Sequence, residues 1–150
     1  MQIRCAIVDD EHLARKYVSN YVAKIPFLEL TGAYNSPLKL YEPLQRGEID
    51  LLFLDIQMPD MTGLDFLRSL DRKPFVVITT AYKEYALEGY EHNVLDYLLK
   101  PFSFDRFMKA VSKVQHIMQR MQEVEAGQPP APADSPTKTD FSDEYPIIRA

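Results

Sequence analysis

The chain has 150 residues, a mass of 17.4 kDa and 46% hydrophobic residues, enough for one domain with a full core. A net charge of −5 argues against a nucleic-acid-binding surface, because such surfaces are usually basic. No export signal opens the sequence, and its apolar runs are far shorter than the roughly 18 residues of a membrane span. We therefore expect a cytoplasmic protein that does not contact the membrane.

Cysteine and histidine usage excludes two kinds of site. The single cysteine, Cys5, lies within an apolar run and is expected in the core, since a disulfide framework needs pairs. His12, His92 and His116 lack the spacing of zinc ligands. Any metal is therefore expected to be held by oxygen.

Short β-rich runs alternate with segments of helical period, a pattern typical of a parallel α/β sheet. A strand is predicted over residues 3–8, a helix over 12–25 that Pro26 ends, and a strand over 27–33. The helix has an apolar stripe at steps of three and four residues: Leu13, Tyr17, Val18, Tyr21, Val22 and Ile25.

The middle of the chain continues this alternation. A helix is predicted over residues 38–46, a strand over 51–54, a helix over 64–70 and a strand over 75–80. The strand over 51–54 is apolar at every position, as expected of a central strand covered by helices on both faces.

The last third is predicted to contain a helix over 84–90, a strand over 95–99 and a long helix capped by Ser103. Proline-rich sequence then suggests a linker. We therefore divide the chain into a domain at 1–126, a linker at 127–146 and the start of a further domain at 147–150.

Polar side chains follow four of the predicted strands. Asp9 and Asp10 follow the first strand, Asp55 the third, Thr80 ends the fourth and Lys100 follows the fifth. In an open parallel sheet the carboxyl ends of the strands border one crevice, so we expect these side chains to meet there. Each aspartate alone could instead be an ordinary helix cap.

Three carboxylates in one crevice repel each other, by roughly 4 kcal/mol per pair at 4 Å and an effective dielectric constant near 20. A divalent cation relieves this repulsion, and oxygen ligands with open positions suit Mg²⁺. A carboxylate beside Mg²⁺, a lysine and a hydroxyl is the setting in which aspartate attacks phosphorus. Asp55 is the candidate nucleophile.

These strand ends closely resemble the receiver domain of two-component response regulators, over about residues 1–120. The matching segments are Val8-Asp9-Asp10-Glu11, Leu54-Asp55-Ile56-Gln57-Met58-Pro59, Thr79-Thr80-Ala81 and Leu99-Lys100-Pro101. The resemblance implies a flavodoxin-like, doubly wound, five-stranded parallel α/β sheet with strand order 2-1-3-4-5.

The resemblance also implies roles for individual residues. Asp55 accepts a phosphoryl group from the histidine of a sensor kinase. Asp9, Asp10, Asp55 and the backbone carbonyl of Gln57 hold Mg²⁺. Lys100 pairs with the phosphoryl oxygens, as a mobile ammonium can.

Three further residues take part in the site and its output, as the resemblance implies. Thr80 and Ala81 bind the phosphoryl group. Thr80 and Tyr97 form the switch, the hydroxyl turning toward the phosphoryl group and the ring rotating into the vacated space. For Tyr97, plain packing within the strand is the alternative.

Residues 79–90 and 94–102 are similar to receivers of the LytTR class, which carry a C-terminal DNA-binding domain. DNA would then be bound only through a domain missing here, and the chain would be a fragment of a transcription regulator. A stand-alone receiver is one alternative. An aspartyl-phosphate phosphatase is another, although its usual second aspartate is replaced by Gln57.

The last predicted helix has apolar residues at alternating steps of three and four, as in a coiled coil. They are Phe104, Phe107, Val111, Val114, Met118 and Met121. The stripe continues past Val114, where packing on the sheet is expected to end. We therefore expect a homodimer on phosphorylation, with a single core-facing stripe or a frayed helix end as the alternative.

Overall fold

The computed structural model describes residues 1–59, 61–82 and 94–127. These residues form a five-stranded, all-parallel sheet with the order β2-β1-β3-β4-β5, flanked by helices. The strands are β1 Ile3–Val8, β2 Leu28–Tyr34, β3 Leu51–Asp55, β4 Phe75–Thr80 and β5 Val94–Leu99. The predicted fold class and strand order are confirmed.

The helices cover the two faces of the sheet, which have separate cores. They are α1 His12–Ala23, α2 Tyr41–Gln45, α3 Gly63–Arg68 and α4 Phe104–Glu125, with a 3₁₀ turn at Pro37–Leu40. Phe53 of β3 packs in the core formed with α1 and α4, whereas Leu52 and Leu54 pack in the core formed with α2 and α3. The apolar run of β3 therefore serves both cores.

Apart from shifts of one or two residues at the ends of α1 and α3, two details of the helices differ from prediction. The segment predicted as one helix over 38–46 is a 3₁₀ turn followed by the short α2. Pro43 explains the break, because it has no N–H to bond back to the carbonyl of Lys39. Leu13 was placed in the apolar stripe of α1 but is 76% exposed, since it lies in the first turn, beyond the core.

Other local predictions are confirmed. Cys5 is fully buried, and burial raises the pKa of its thiol to about 12. Ser103 caps α4, because its hydroxyl accepts a hydrogen bond from the Arg106 backbone N–H at 3.1 Å. The predicted helix over 84–90 and the linker prediction beyond residue 127 lie outside the described residues.

The strand register aligns the ends of the central strands. Val8 of β1 pairs with Leu54 of β3, so the next residues, Asp9 and Asp55, are neighbours across the two strands. Thr80 of β4 pairs with Leu99 of β5, which Lys100 follows. All the predicted strand-end residues therefore border one edge of the sheet.

Candidate functional site

Three aspartates meet at this edge. One carboxylate oxygen from each of Asp9, Asp10 and Asp55 lies within 4.8 Å of the others. Asp9 and Asp55 are buried, whereas Asp10 is exposed. Clustered hard oxygen donors with one solvent-facing member fit Mg²⁺, which binds few protein carboxylates and keeps several waters.

Four polar groups hold Asp9. Its N–H donates to the Tyr34 carbonyl at 3.0 Å, and its own carbonyl accepts from Arg15 Nη1 at 2.8 Å. Its carboxylate accepts from the Glu11 N–H at 2.9 Å and from Lys100 Nζ at 2.7 Å. Asp9 is therefore fixed in backbone and side chain. No sequence pattern predicts this role of Arg15, because its partner is a main-chain carbonyl.

Asp55 is the last residue of β3 and only 3% exposed. Burial, together with the negative charges of Asp9 and Asp10, raises its pKa to about 7, while Lys100 and the Gln57 N–H act in the opposite direction. Ionised Asp55 is therefore costly here until positive charge is added, which favours a cation-dependent site.

Lys100 reaches both buried carboxylates of the site and the exposed carboxylate of Glu11. Its Nζ lies 2.7 Å from Asp9 Oδ2, 3.6 Å from Asp55 Oδ1 and 3.9 Å from Glu11 Oε1. Burial alone lowers the pKa of the ammonium, but the hydrogen bond to Asp9 and the nearby charge of Asp55 outweigh burial and raise it. Lys100 is therefore a permanent cation beside Asp55.

Gly63 lets the loop after β3 close against the site. Its N–H donates to the Ile56 carbonyl at 2.9 Å. A Cβ at this position would lie 2.6 Å from the Asp55 carbonyl oxygen, closer than side-chain carbons tolerate. We interpret Gly63 as a requirement of the site's backbone, because a side chain here would collide with Asp55.

Thr80 and its neighbours line the next strand end. Thr80 is buried, and its hydroxyl accepts from the Tyr82 N–H at 3.0 Å. Its carbonyl accepts from the Lys100 N–H at 2.7 Å, joining β4 to the lysine. Ala81 and the side chain of Gln57 are exposed. The metal role of the Gln57 carbonyl and the phosphoryl roles of Thr80 and Ala81 stay predictions.

The backbone of Tyr97 is held by an ionic cluster around the buried Asp96. Its N–H donates to Asp96 Oδ1 at 2.8 Å, and its carbonyl accepts from Arg106 Nη2 at 2.9 Å. Asp96 also binds Arg106 in a two-pronged ion pair and Lys113 at 3.1 Å. Burial lowers the pKa of Lys113 to about 8. Any switch at Tyr97 is therefore expected to be a ring rotation on a fixed backbone.

Comparison with known proteins identifies the family. The model of the "Response regulator receiver domain" matches residues 5–112, which is more than half of the chain. The chain belongs to the response regulator receiver family. The predicted receiver identity is thereby confirmed.

Relatives of this receiver include longer regulators. An uncharacterised response regulatory protein of Vibrio cholerae is 36% identical over 110 residues, which cover 72% of this chain and 46% of that protein. The transcriptional regulatory protein YpdB of Escherichia coli is 32% identical over 123 residues, covering 80% and 50%. The chain thus spans about half the length of these relatives.

A solved structure supports the same assignment. The response regulatory domain of MrkE from Klebsiella pneumoniae is 31% identical, with a TM-score of 0.70, and the match covers 78% of this chain and 98% of that domain. Within the described part of the receiver, no helix combines the length and apolar character that crossing a membrane requires.

Proposed function

We propose that this receiver is activated when a sensor histidine kinase phosphorylates Asp55 in the cytoplasm. The observation that carries the proposal is a buried carboxylate with an ammonium at 3.6 Å and two further aspartates beside it. An Asp55 oxygen bonds to phosphorus while the bond from phosphorus to the kinase histidine nitrogen breaks. That nitrogen keeps the electron pair.

The proposed metal ligands are Asp9, Asp10, Asp55 and the Gln57 carbonyl. Bound Mg²⁺ supplies the positive charge that balances the carboxylates and the incoming phosphoryl oxygens. The chain itself supplies Lys100, whose flexible stem lets the ammonium leave Asp9 and follow the new negative charge. The Asp9 backbone, held by Arg15, stays in place during this exchange.

The test is incubation with acetyl phosphate and Mg²⁺, followed by intact-mass measurement. We expect one phosphoryl group per chain, no adduct in EDTA, and no continuing release of phosphate from simple phosphate esters. Labelling of this kind distinguishes a receiver, which is phosphorylated once, from a phosphatase, which turns over. Steady hydrolysis of an ester with no stable adduct would instead favour the phosphatase alternative.

Thr80 is proposed to carry the signal away from Asp55 together with Tyr97. We expect Thr80→Ala to leave Asp55 phosphorylation measurable but to remove phosphate-dependent dimerisation, because the hydroxyl that contacts the phosphoryl group is lost. Intact mass after incubation with acetyl phosphate measures the phosphorylation. Sedimentation with Mg²⁺ and beryllofluoride measures the dimerisation. Thr80→Ser keeps the hydroxyl and should dimerise, while normal dimerisation of Thr80→Ala contradicts the role.

We propose that the natural protein is a transcription regulator of the LytTR class whose DNA-binding domain follows this chain. Two findings support this: the chain spans about half the length of its relatives, and one of them is named a transcriptional regulatory protein. Sequencing the complete reading frame tests it directly. A reading frame that ends at residue 150 would favour the stand-alone receiver.

The far end of α4 is the proposed dimer contact. Val114 is the last fully buried residue of the helix, yet α4 continues to Glu125, and Met121 and Val124 are 50% and 61% exposed. We expect ending the chain at Gln115 to abolish beryllofluoride-dependent dimerisation, because it removes the exposed end of the heptad stripe, Met121, along with Met118, which still packs against the core. Sedimentation over a range of concentrations measures this, and an unchanged dimer shows that the contact lies elsewhere.

A further inference from the structure

Two tyrosine hydroxyls of α1 converge on the loop that carries Lys100. Tyr17 donates a hydrogen bond to the Phe102 carbonyl. The Tyr21 hydroxyl lies 3.0 Å from the same carbonyl and 2.9 Å from the Tyr17 hydroxyl. Three oxygens thus form one hydrogen-bonded group, and either tyrosine can supply the proton for the carbonyl.

The rings of both tyrosines have a separate packing role. Tyr17 lies edge-on to Phe102 at 5.4 Å between ring centroids, and Tyr21 packs against Phe104 and Phe107, both at 5.3 Å. Phenylalanine could make all these contacts. Burial, together with the hydrogen bond from Tyr21, raises the pKa of Tyr17 to about 12, so its hydroxyl keeps the proton that it donates. The hydroxyls therefore act on the loop rather than on the core.

The loop is held at both ends. Its start is fixed by the Lys100 N–H, which donates to the Thr80 carbonyl at 2.7 Å. Its other end is fixed two residues later by the tyrosine hydroxyls on Phe102. The side chain of Lys100 extends from the backbone between these two points, and its Nζ contacts both Asp9 and Asp55.

We propose that Tyr17 and Tyr21 are positioning residues for Lys100, setting where its ammonium meets the phosphoryl group on Asp55. This inference rests on the proposed function and assigns α1 a part in it. Because both hydroxyls serve one carbonyl, losing either leaves a donor, and only losing both releases the loop.

The test compares Tyr17→Phe, Tyr21→Phe and the double variant in the full chain, with Mg²⁺ and beryllofluoride as probes. We expect the double variant to bind beryllofluoride about tenfold more weakly, as the loss of hydrogen bonds to one carbonyl permits, and each single variant within about threefold of wild type. The Mg²⁺ affinity should change by less than about twofold, because the proposed metal ligands do not include Lys100.

The decisive comparison repeats the double substitution in a Lys100→Ala background. If the tyrosines act through Lys100, their removal has no further effect there; an equal tenfold loss in both backgrounds overturns the inference. A loss of Mg²⁺ affinity equal to the loss for beryllofluoride also overturns it, since general loosening of the domain would produce that result.

A second readout does not depend on phosphoryl chemistry. In metal-free protein the ion pair with Asp9 protects Lys100 from acetylation, and we expect the double variant to be acetylated at Lys100 severalfold faster, measured by peptide mass, with the exposed Lys16 as reference. Equal rates overturn the inference. If the wild-type protein does not bind beryllofluoride, the proposed function is wrong. The acetylation rate of Lys100 then still shows whether the tyrosines hold this residue in place.

Discussion

We expect Asp55→Asn to abolish phosphoryl labelling by acetyl phosphate, with a rate at least about a hundredfold below wild type. The amide is nearly the same size as the carboxylate but has no charged oxygen to attack phosphorus. Intact-mass spectra after incubation with Mg²⁺ and donor measure the loss. The variant should stay folded, because asparagine fits the space of Asp55 without displacing the neighbouring side chains.

The matched control is Asp71→Asn, which makes the same chemical change at an exposed position. It should be labelled at the wild-type rate. Circular dichroism of both variants shows whether they are folded. A phosphoryl adduct that persists in Asp55→Asn and maps to another peptide would show that Asp55 is not the acceptor.

The second large effect is on stability without metal. We expect the wild-type free energy of unfolding in EDTA to fall between about pH 4 and pH 8 relative to Asp55→Asn, with a final difference of up to about 4 kcal/mol. In the native state the pKa of Asp55 is raised to about 7 by burial and by Asp9, whereas an unfolded chain releases this proton near the ordinary value of 3.8.

The sign follows from proton counting. Between those two values the native state binds more protons at Asp55 than the unfolded state, so raising the pH favours unfolding. Above about pH 7 the full destabilisation by ionised Asp55 is present. Below the ordinary carboxyl pKa of 3.8 this destabilisation is absent. Asparagine has no proton to lose and escapes this cost.

Urea unfolding at several pH values, followed by circular dichroism, measures the difference. Adding Mg²⁺ should raise the stability of the wild type more than that of Asp55→Asn, because the cation neutralises a charge that the variant lacks. Asp71→Asn again serves as the control and should follow the wild-type curve. If Asp55→Asn is no more stable than wild type in EDTA at high pH, the carboxylate is not destabilised by its surroundings.

The sheet and the candidate site could be predicted together because one rule links them. Residues directly after parallel strands lie at the carboxyl edge of the sheet, whatever packs elsewhere. Asp9, Asp55 and Lys100 were placed by this rule, and the structure brings their side chains into contact. The bounds of helices were harder to predict where a residue interrupts a helix. Pro43 divides the predicted second helix into a 3₁₀ turn and the short α2.

The sequence by itself determined the strand runs, the order of the charged residues at their ends and the receiver motif. Only the tertiary structure decided which α1 side chains hydrogen-bond to the loops that carry Asp9 and Lys100. Arg15, Tyr17 and Tyr21 read as ordinary helix residues, because the groups they bind are the main-chain carbonyls of Asp9 and Phe102. Every residue has a carbonyl, so such a partner leaves no trace in the sequence, and its position depends on how the loops pack against the helix.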